Sequence, residues 1–523
     1  MMCQFTQSLP RPVYGAALVL VALAAAPVRA QRGSLTAADS ALVGRILLAE
    51  DRRDSTSDAL VVGRRHSDPR VSLLARRATA RIRDPKFAGR DSFPALPAPP
   101  AYGDPAWRLR FRELQAKRAD CAAIRLALSD SAWPVRLSAA DRVAPECGRD
   151  SAVVAVLDSW VAKMPMSAAR SRGGVSWHPA AHAITALARL APTRARAALP
   201  AAATSRVPWL RTYAARAAGT LGDTTTLRQL ARDANDNVKE AAIDGLARVA
   251  GHAADDEYIA ALSAAGYQAV RAGARALRGS PRGRASLAPL LAAEERIAKD
   301  SSETSRDARI AIVERIGEFL AREAGFNMSP LPGTFDCTVT RVMDSVGTRA
   351  GAAVESGSKC TPLPITLPPD AVALALGRDV RLRVTLADSS GGGSFTVKLR
   401  GDVAPLMAAR ILALARSGYY NGRTWHRVEH DFVIQGGGGG SEYVGHPRFM
   451  RDELGTVPHV RGTVGMSTRG HDTGDAQWFV NLRDNLRLNP DYTVFAEVID
   501  GIGVVDGVLE GDVIARIEVV AAR

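Results

Sequence analysis

Cysteine is scarce in this chain. There are five in 523 residues, with no Cys-x-x-Cys pair and no spaced Cys/His quartet, so a structural zinc site is not expected. Long apolar runs are also missing: residues 16 to 26 form an apolar core, but a membrane span takes about 20 such residues. With Arg11 ahead of it and Val28-Arg29-Ala30 behind, this stretch reads as a signal peptide over residues 1–30, leaving a mature chain that starts near Gln31 without a transmembrane anchor. Cys3 follows no lipobox, which argues against a lipid anchor. The Gly436–Gly440 run has no Lys-Ser/Thr after it, so it reads as a flexible loop and not a phosphate cradle.

Net charge is +14, from 68 Lys and Arg against 54 Asp and Glu. In an exported protein nucleic acid is not the expected partner, and the even scatter of arginines reads as a solvated surface. The expected destination of export is the periplasm, with the extracellular space as the alternative, since a signal peptide reports only export. An oxidising compartment allows disulfides. Cys121 with Cys147 and Cys337 with Cys360 is the sequence-local pairing, one of three connectivities, and buried free thiols are the other reading.

The length suggests about three units at roughly 150 residues each. Residues 31–327 are rich in Ala, Leu and Arg, with apolar residues at helical spacing. An apolar anchor followed by small or apolar residues four and eight later recurs at Val71, Val135, Pro179, Leu210, Val238 and Val270. The last four anchors lie 31, 28 and 32 residues apart, the length of a helical hairpin that must stack to bury its face. This block resembles HEAT-like repeats, and the expectation is an all-α solenoid of six or seven helical pairs with a possible protein partner. A degenerate unit falls near Arg108–Leu128, and the proline-rich residues 93 to 105 read as an extended interruption. Residues 328–372 form a Pro/Gly-rich linker around Cys337 and Cys360. From 373 to 523, alternating runs such as Val380–Leu386 and Phe395–Leu399 signal strands, and Pro405–Ser417 signals a helix.

The stretch Trp425-His-Arg-Val-Glu-His-Asp-Phe-Val-Ile-Gln-Gly-Gly437 sets a fixed cation beside apolar side chains and an amide. On neighbouring strands, Arg427 would stand over Phe432 and Gln435. Such a pocket suits a neutral substrate and needs no nucleophile, metal or cofactor. His426 and His430, four apart on a strand, need not face one another, and metal binding is not expected. Arg400-Gly401-Asp402 reads as a turn beside a strand.

Together with Arg461–Met466, Ala476–Phe479 and Tyr492–Phe495, this stretch resembles the cyclophilin family of peptidyl-prolyl cis/trans isomerases. The resemblance covers roughly the last 145 residues. It implies a mainly-β eight-stranded antiparallel barrel with capping helices, and proline-containing polypeptides as substrates. It assigns Arg427, Phe432 and Gln435 to catalysis. Val433, Met466, Thr468, Gln477, Phe479, Leu488 and Tyr492 are assigned to substrate binding. Val433 stands where a larger Met is common, Trp425 replaces Phe, and Arg487 replaces the Trp that contacts cyclosporin in sensitive members, so weak cyclosporin binding is expected. The implied function is isomerisation of Xaa-Pro bonds in exported proteins. The alternative is a non-catalytic scaffold or chaperone-like protein that binds proline peptides.

Overall fold

The computed structural model describes residues 35–116, 120–299, 302–324, 366–439 and 445–521. The leader at 1–30, nearly all of the linker, and Cys337 with Cys360 lie outside the described residues.

Three helices come first: α1 (Ala37–Asp51), α2 (Asp58–Arg64) and α3 (Pro69–Arg83). Thr36 opens α1 with a capping box closed by Asp39, and Asp68 with Pro69 opens α3, so local chemistry sets both starts. The proline-rich residues that follow carry neither helix nor strand. They lie along the strands, where Tyr102 Oη donates to the Val498 carbonyl at 2.9 Å and the Pro97 carbonyl accepts from Arg400 at 3.0 Å.

From α4 (Ala106–Ala116) onward, helices alternate between two rows. Trp133–Arg142, His178–Leu190, Pro208–Leu221, Asp236–Val249, Tyr267–Ala276 and Arg306–Ala324 pack one on the next, with shorter partners such as Thr224–Leu230 and Asp255–Ala261 between them. Each repeat anchor falls within the first four residues of its helix and is buried; Val71, Leu210, Val238 and Val270 are each 0% exposed. Helical spacing thus reports the stacking face, and small residues four positions on let neighbours approach. Cys121 and Cys147 are joined in a disulfide with a sequence separation of 26. Closing a loop of that length restricts the unfolded chain, so reduction should cost the array about 3 kcal/mol. Urea unfolding with and without dithiothreitol measures this, and a shift under about 1 kcal/mol would contradict it.

The eight strands are β1 (Arg381–Leu386), β2 (Ser394–Leu399), β3 (Arg427–Val428), β4 (Val433–Gly436), β5 (Thr463–Met466), β6 (Trp478–Asn481), β7 (Val494–Asp500) and β8 (Ile514–Val520). They form one antiparallel sheet in the order β3-β4-β6-β5-β7-β2-β1-β8. The sheet curls until the segment before β3 meets the segment before β8, through a Thr424–Val513 bridge and through Trp425 N donating to Asp512 O at 2.8 Å. Helix Pro405–Arg416 packs on it. The glycine run is only partly a loop. Gly436 ends β4, where a Cβ would sit 2.8 Å from the Trp425 ring, and Gly438 bridges Thr424.

Helices α1 to α3 share one apolar core with the strands, while residues from Phe111 to Phe319 build a second. The scattered arginines are not simply a solvated surface. Arg81, Arg108, Arg170, Arg400 and Arg461 are buried, and each ties a helix, the loop before His178–Leu190 or the proline-rich strap to the strand-rich C-terminal region. Arg170, for example, forms a two-pronged pair with Asp512 and donates from its backbone to Ser389 O at 2.7 Å. Nearby, Tyr213 Oη donates to Glu510 at 2.9 Å, and Trp209 lies where any Cβ on Gly511 would strike it, at 2.8 Å.

Candidate active site

Strand pairing lines up the site. Arg427 on β3 is opposite Gln435 on β4, Gln435 is opposite Phe479 on β6, and Phe479 is opposite Gly465 on β5. Directly paired residues point to the same face, so cation, amide and aromatic ring stand in one row across the sheet. Gly465 leaves room at the end of that row: a Cβ there would fall 2.4 Å from Phe479 Cζ and 2.9 Å from the His459 ring.

Arg427 Nη1 donates to Gln435 Oε1 at 3.2 Å, and Gln435 Nε2 donates to Ser467 Oγ at 2.8 Å, which orients the amide from both ends. The guanidinium also meets Glu429, with Nε to Oε1 at 2.9 Å. Both side chains are more than a third exposed, so this pair is worth at most about 1 kcal/mol and the cation can re-aim at little cost. Phe432 lies in the turn between β3 and β4, its ring 6.0 Å from the Arg427 guanidinium carbon and 4.7 Å from that of Arg487.

Below this row Val433, Phe479 and Leu488 form a small apolar cluster separate from the main core, with Phe432 and Tyr492 packed against it. Phe479 meets Tyr492 edge-on, centroids 5.8 Å apart. Gln477 is buried and hydrogen-bonds Asp475 at 3.3 Å, and Thr468 is half-buried in the loop after β5. Met466 is not brought to this cluster. It follows Gly465 on β5, so alternation turns it to the other face, where it is 0% exposed in the main core.

Sequence reasoning missed His459. Its ring stacks on Phe479 at 5.7 Å and is 0% exposed. Nε2 lies 3.0 Å from the Tyr492 carbonyl, and Nδ1 lies 3.1 Å from Asn481 Nδ2. A neutral ring with the proton on Nε2 satisfies both. No periodicity or spacing marks a histidine that supports a pocket from behind.

Burial pushes the His459 ring down to about 4, and does the same to His426, also to about 4, and His178, to about 3. The unfolded chain therefore binds protons that the fold refuses once pH drops below about 6.5. Stability is full above that pH and is lost as pH falls toward 4, by about 3 kcal/mol for His459 alone. Melting temperatures between pH 7.5 and 4.5 test this. His459→Gln should flatten the slope, and an unchanged slope would refute the assignment.

Rotation about a peptide bond is opposed by about 18–20 kcal/mol of amide resonance. A site that grips the proline ring in an apolar cluster and donates a hydrogen bond to a nitrogen whose lone pair has localised favours the twisted state over either planar one. Arg427 is permanently charged and needs no proton-transfer step to do this.

Residues 383–519 match the sequence profile of the cyclophilin type peptidyl-prolyl cis-trans isomerase/CLD family. A peptidyl-prolyl cis-trans isomerase of Helicobacter pylori (strain ATCC 700392 / 26695) is 34% identical over 132 residues, spanning 24% of this chain and 80% of the relative. The chain belongs to the cyclophilin family. A Dictyostelium discoideum peptidyl-prolyl cis-trans isomerase-like 3 is 36% identical over 131 residues, again 24% of this chain and 80% of that relative. A solved cyclophilin from Cryptosporidium parvum is 23% identical, with a TM-score of 0.26; the alignment covers 28% of this chain and all of that one. The long helical array lies outside the matched cyclophilin residues.

Among the described residues there is no group of three or more His, Cys, Asp or Glu able to hold a metal, and no helix long and apolar enough to cross a membrane. The His430 ring meets Trp107 and Phe111 edge-on at 6.0 and 6.2 Å.

Proposed function

We propose that this cyclophilin isomerises Xaa-Pro bonds in exported proteins, most directly in the periplasm. The observation that carries the reading is the Arg427, Gln435 and Phe479 row bordering the apolar cluster of Val433, Phe479 and Leu488. The leader-like residues 16 to 26 and the Cys121–Cys147 disulfide support export to an oxidising compartment. In this reading the helical array gathers clients or partner proteins and raises their concentration near the site. Two exposed apolar residues of the array, Leu126 at 74% and Leu291 at 36%, support that role.

The purified mature chain should accelerate cis/trans isomerisation of a short Ala-Pro peptide. Binding of proline peptides without acceleration would favour the non-catalytic scaffold instead. Recruitment is tested separately with an unfolded protein substrate, for which Leu126→Glu should lower kcat/KM while leaving the short peptide unaffected.

A further inference from the structure

The turn that carries the site, Glu429-His430-Asp431-Phe432, has only two backbone hydrogen bonds of its own: Phe432 N to Glu429 O at 2.8 Å and Glu429 N to Val433 O at 2.9 Å. It contains no glycine or proline, and its one turn-favouring residue, Asp431, uses its side chain in contacts from elsewhere. The rest of its support comes from far along the chain. On α4, Arg108 Nε donates to the His430 carbonyl at 3.0 Å, and Arg112 Nε donates to Asp431 Oδ1 at 2.7 Å. Trp107 and Phe111 set their rings against His430 from the same helix. Asp431 takes a second hydrogen bond from Arg483 at 3.1 Å.

The helix is itself anchored. Arg108, 0% exposed, pairs with Asp104 at 3.0 Å and with Asp506 at 2.7 Å, and Asp506 also receives both prongs of Arg461 at 2.9 and 2.7 Å. Arg112 reaches Asp104 at 2.7 Å. The turn thus sits in a lattice of alternating charge, and half of that lattice belongs to the helical region.

We propose that Arg108 and Arg112 are positioning residues for the isomerase: α4 holds the 429–431 turn and thereby fixes where Arg427 and Phe432 stand. Arg427 lies two residues before this turn and Phe432 one residue after Asp431. A displacement of even about 1 Å at a reacting donor is enough to slow catalysis strongly. The helical array is then part of the catalytic apparatus and not merely a tether. This rests on the isomerase reading.

The test uses the full mature chain and the Ala-Pro peptide. Arg112→Ala and Asp431→Asn should each lower kcat about tenfold with KM nearly unchanged, because alignment and not ring binding is lost. The double variant should lose less than the two single losses combined, since the Arg112–Asp431 contact is shared, while Arg112 also holds Asp104 and Asp431 also takes Arg483. Arg112→Lys should restore part of the rate. In the same variants the Arg427 Nε–H resonance should shift, a readout that general destabilisation leaves in place while the chain is folded. Asp431→Asn, nearly isosteric, covers the case in which Arg112→Ala does not fold. Unchanged kcat in both single variants, additive losses in the double, or an unmoved Arg427 resonance would each overturn the proposal. An inactive parent chain would strike the isomerase reading, and the resonance would still decide whether α4 positions Arg427.

Discussion

Arg427→Ala should lower kcat/KM for an Ala-Pro peptide by a factor on the order of 10²–10³, the usual effect of removing one preorganised donor from a developing charge. The loss should fall on kcat, because the apolar cluster of Val433, Phe479 and Leu488 that grips the ring is untouched. Folding should survive. The Arg427 side chain is 39% exposed and its ion pair with Glu429 is a surface one. Arg427→Lys keeps the charge but not the planar fork, so it should recover only part of the rate. Exchange NMR on the peptide measures both forward and reverse rates. Equal rates for parent and alanine variant would remove Arg427 from the mechanism.

The largest stability loss is expected from Arg81→Ala. Arg81 on α3 is 1% exposed and holds four groups at once: Glu50 at 2.6 Å and the carbonyls of Leu454, Val403 and Glu453 at 2.6, 2.9 and 3.1 Å. Burial raises the Glu50 carboxyl, but Arg81, Arg77 and Arg53 together pull it below its ordinary value. Removing the guanidinium leaves a buried carboxylate short of its main partner and strips a donor from three carbonyls. Breaking such a pair costs about 3–5 kcal/mol. The strands should feel the loss directly, because Glu453 caps helix Pro405–Arg416 through Leu406 N and Met407 N at 3.2 and 2.7 Å. Urea unfolding followed by tryptophan fluorescence checks this, and a loss below about 1 kcal/mol would mean that water replaces the arginine.

The same buried arginines show where sequence reading stopped. Repeat anchors such as Leu210 and Val238 were legible because a helix buries one face at fixed spacing, and each lies 0% exposed in the stack. The row from Arg427 to Phe479 was legible in part, through motif resemblance and strand alternation. His459 was not, since a ring that backs Phe479 from a loop leaves no periodic trace. Met466 was drawn into the site by its motif, and alternation along β5 sends it to the core instead.

By itself the sequence determined the order of units, the helical stacking face, the strand-rich C-terminal region and the residue types of the site, because all of these follow from local spacing. Only the tertiary structure decided that α1 to α3 share a core with the strands, and that Arg108 and Arg112 reach the turn beside Arg427 across more than 300 residues of chain. Those contacts depend on how two units dock. An arginine that will be buried at such an interface looks the same in sequence as one that remains in water.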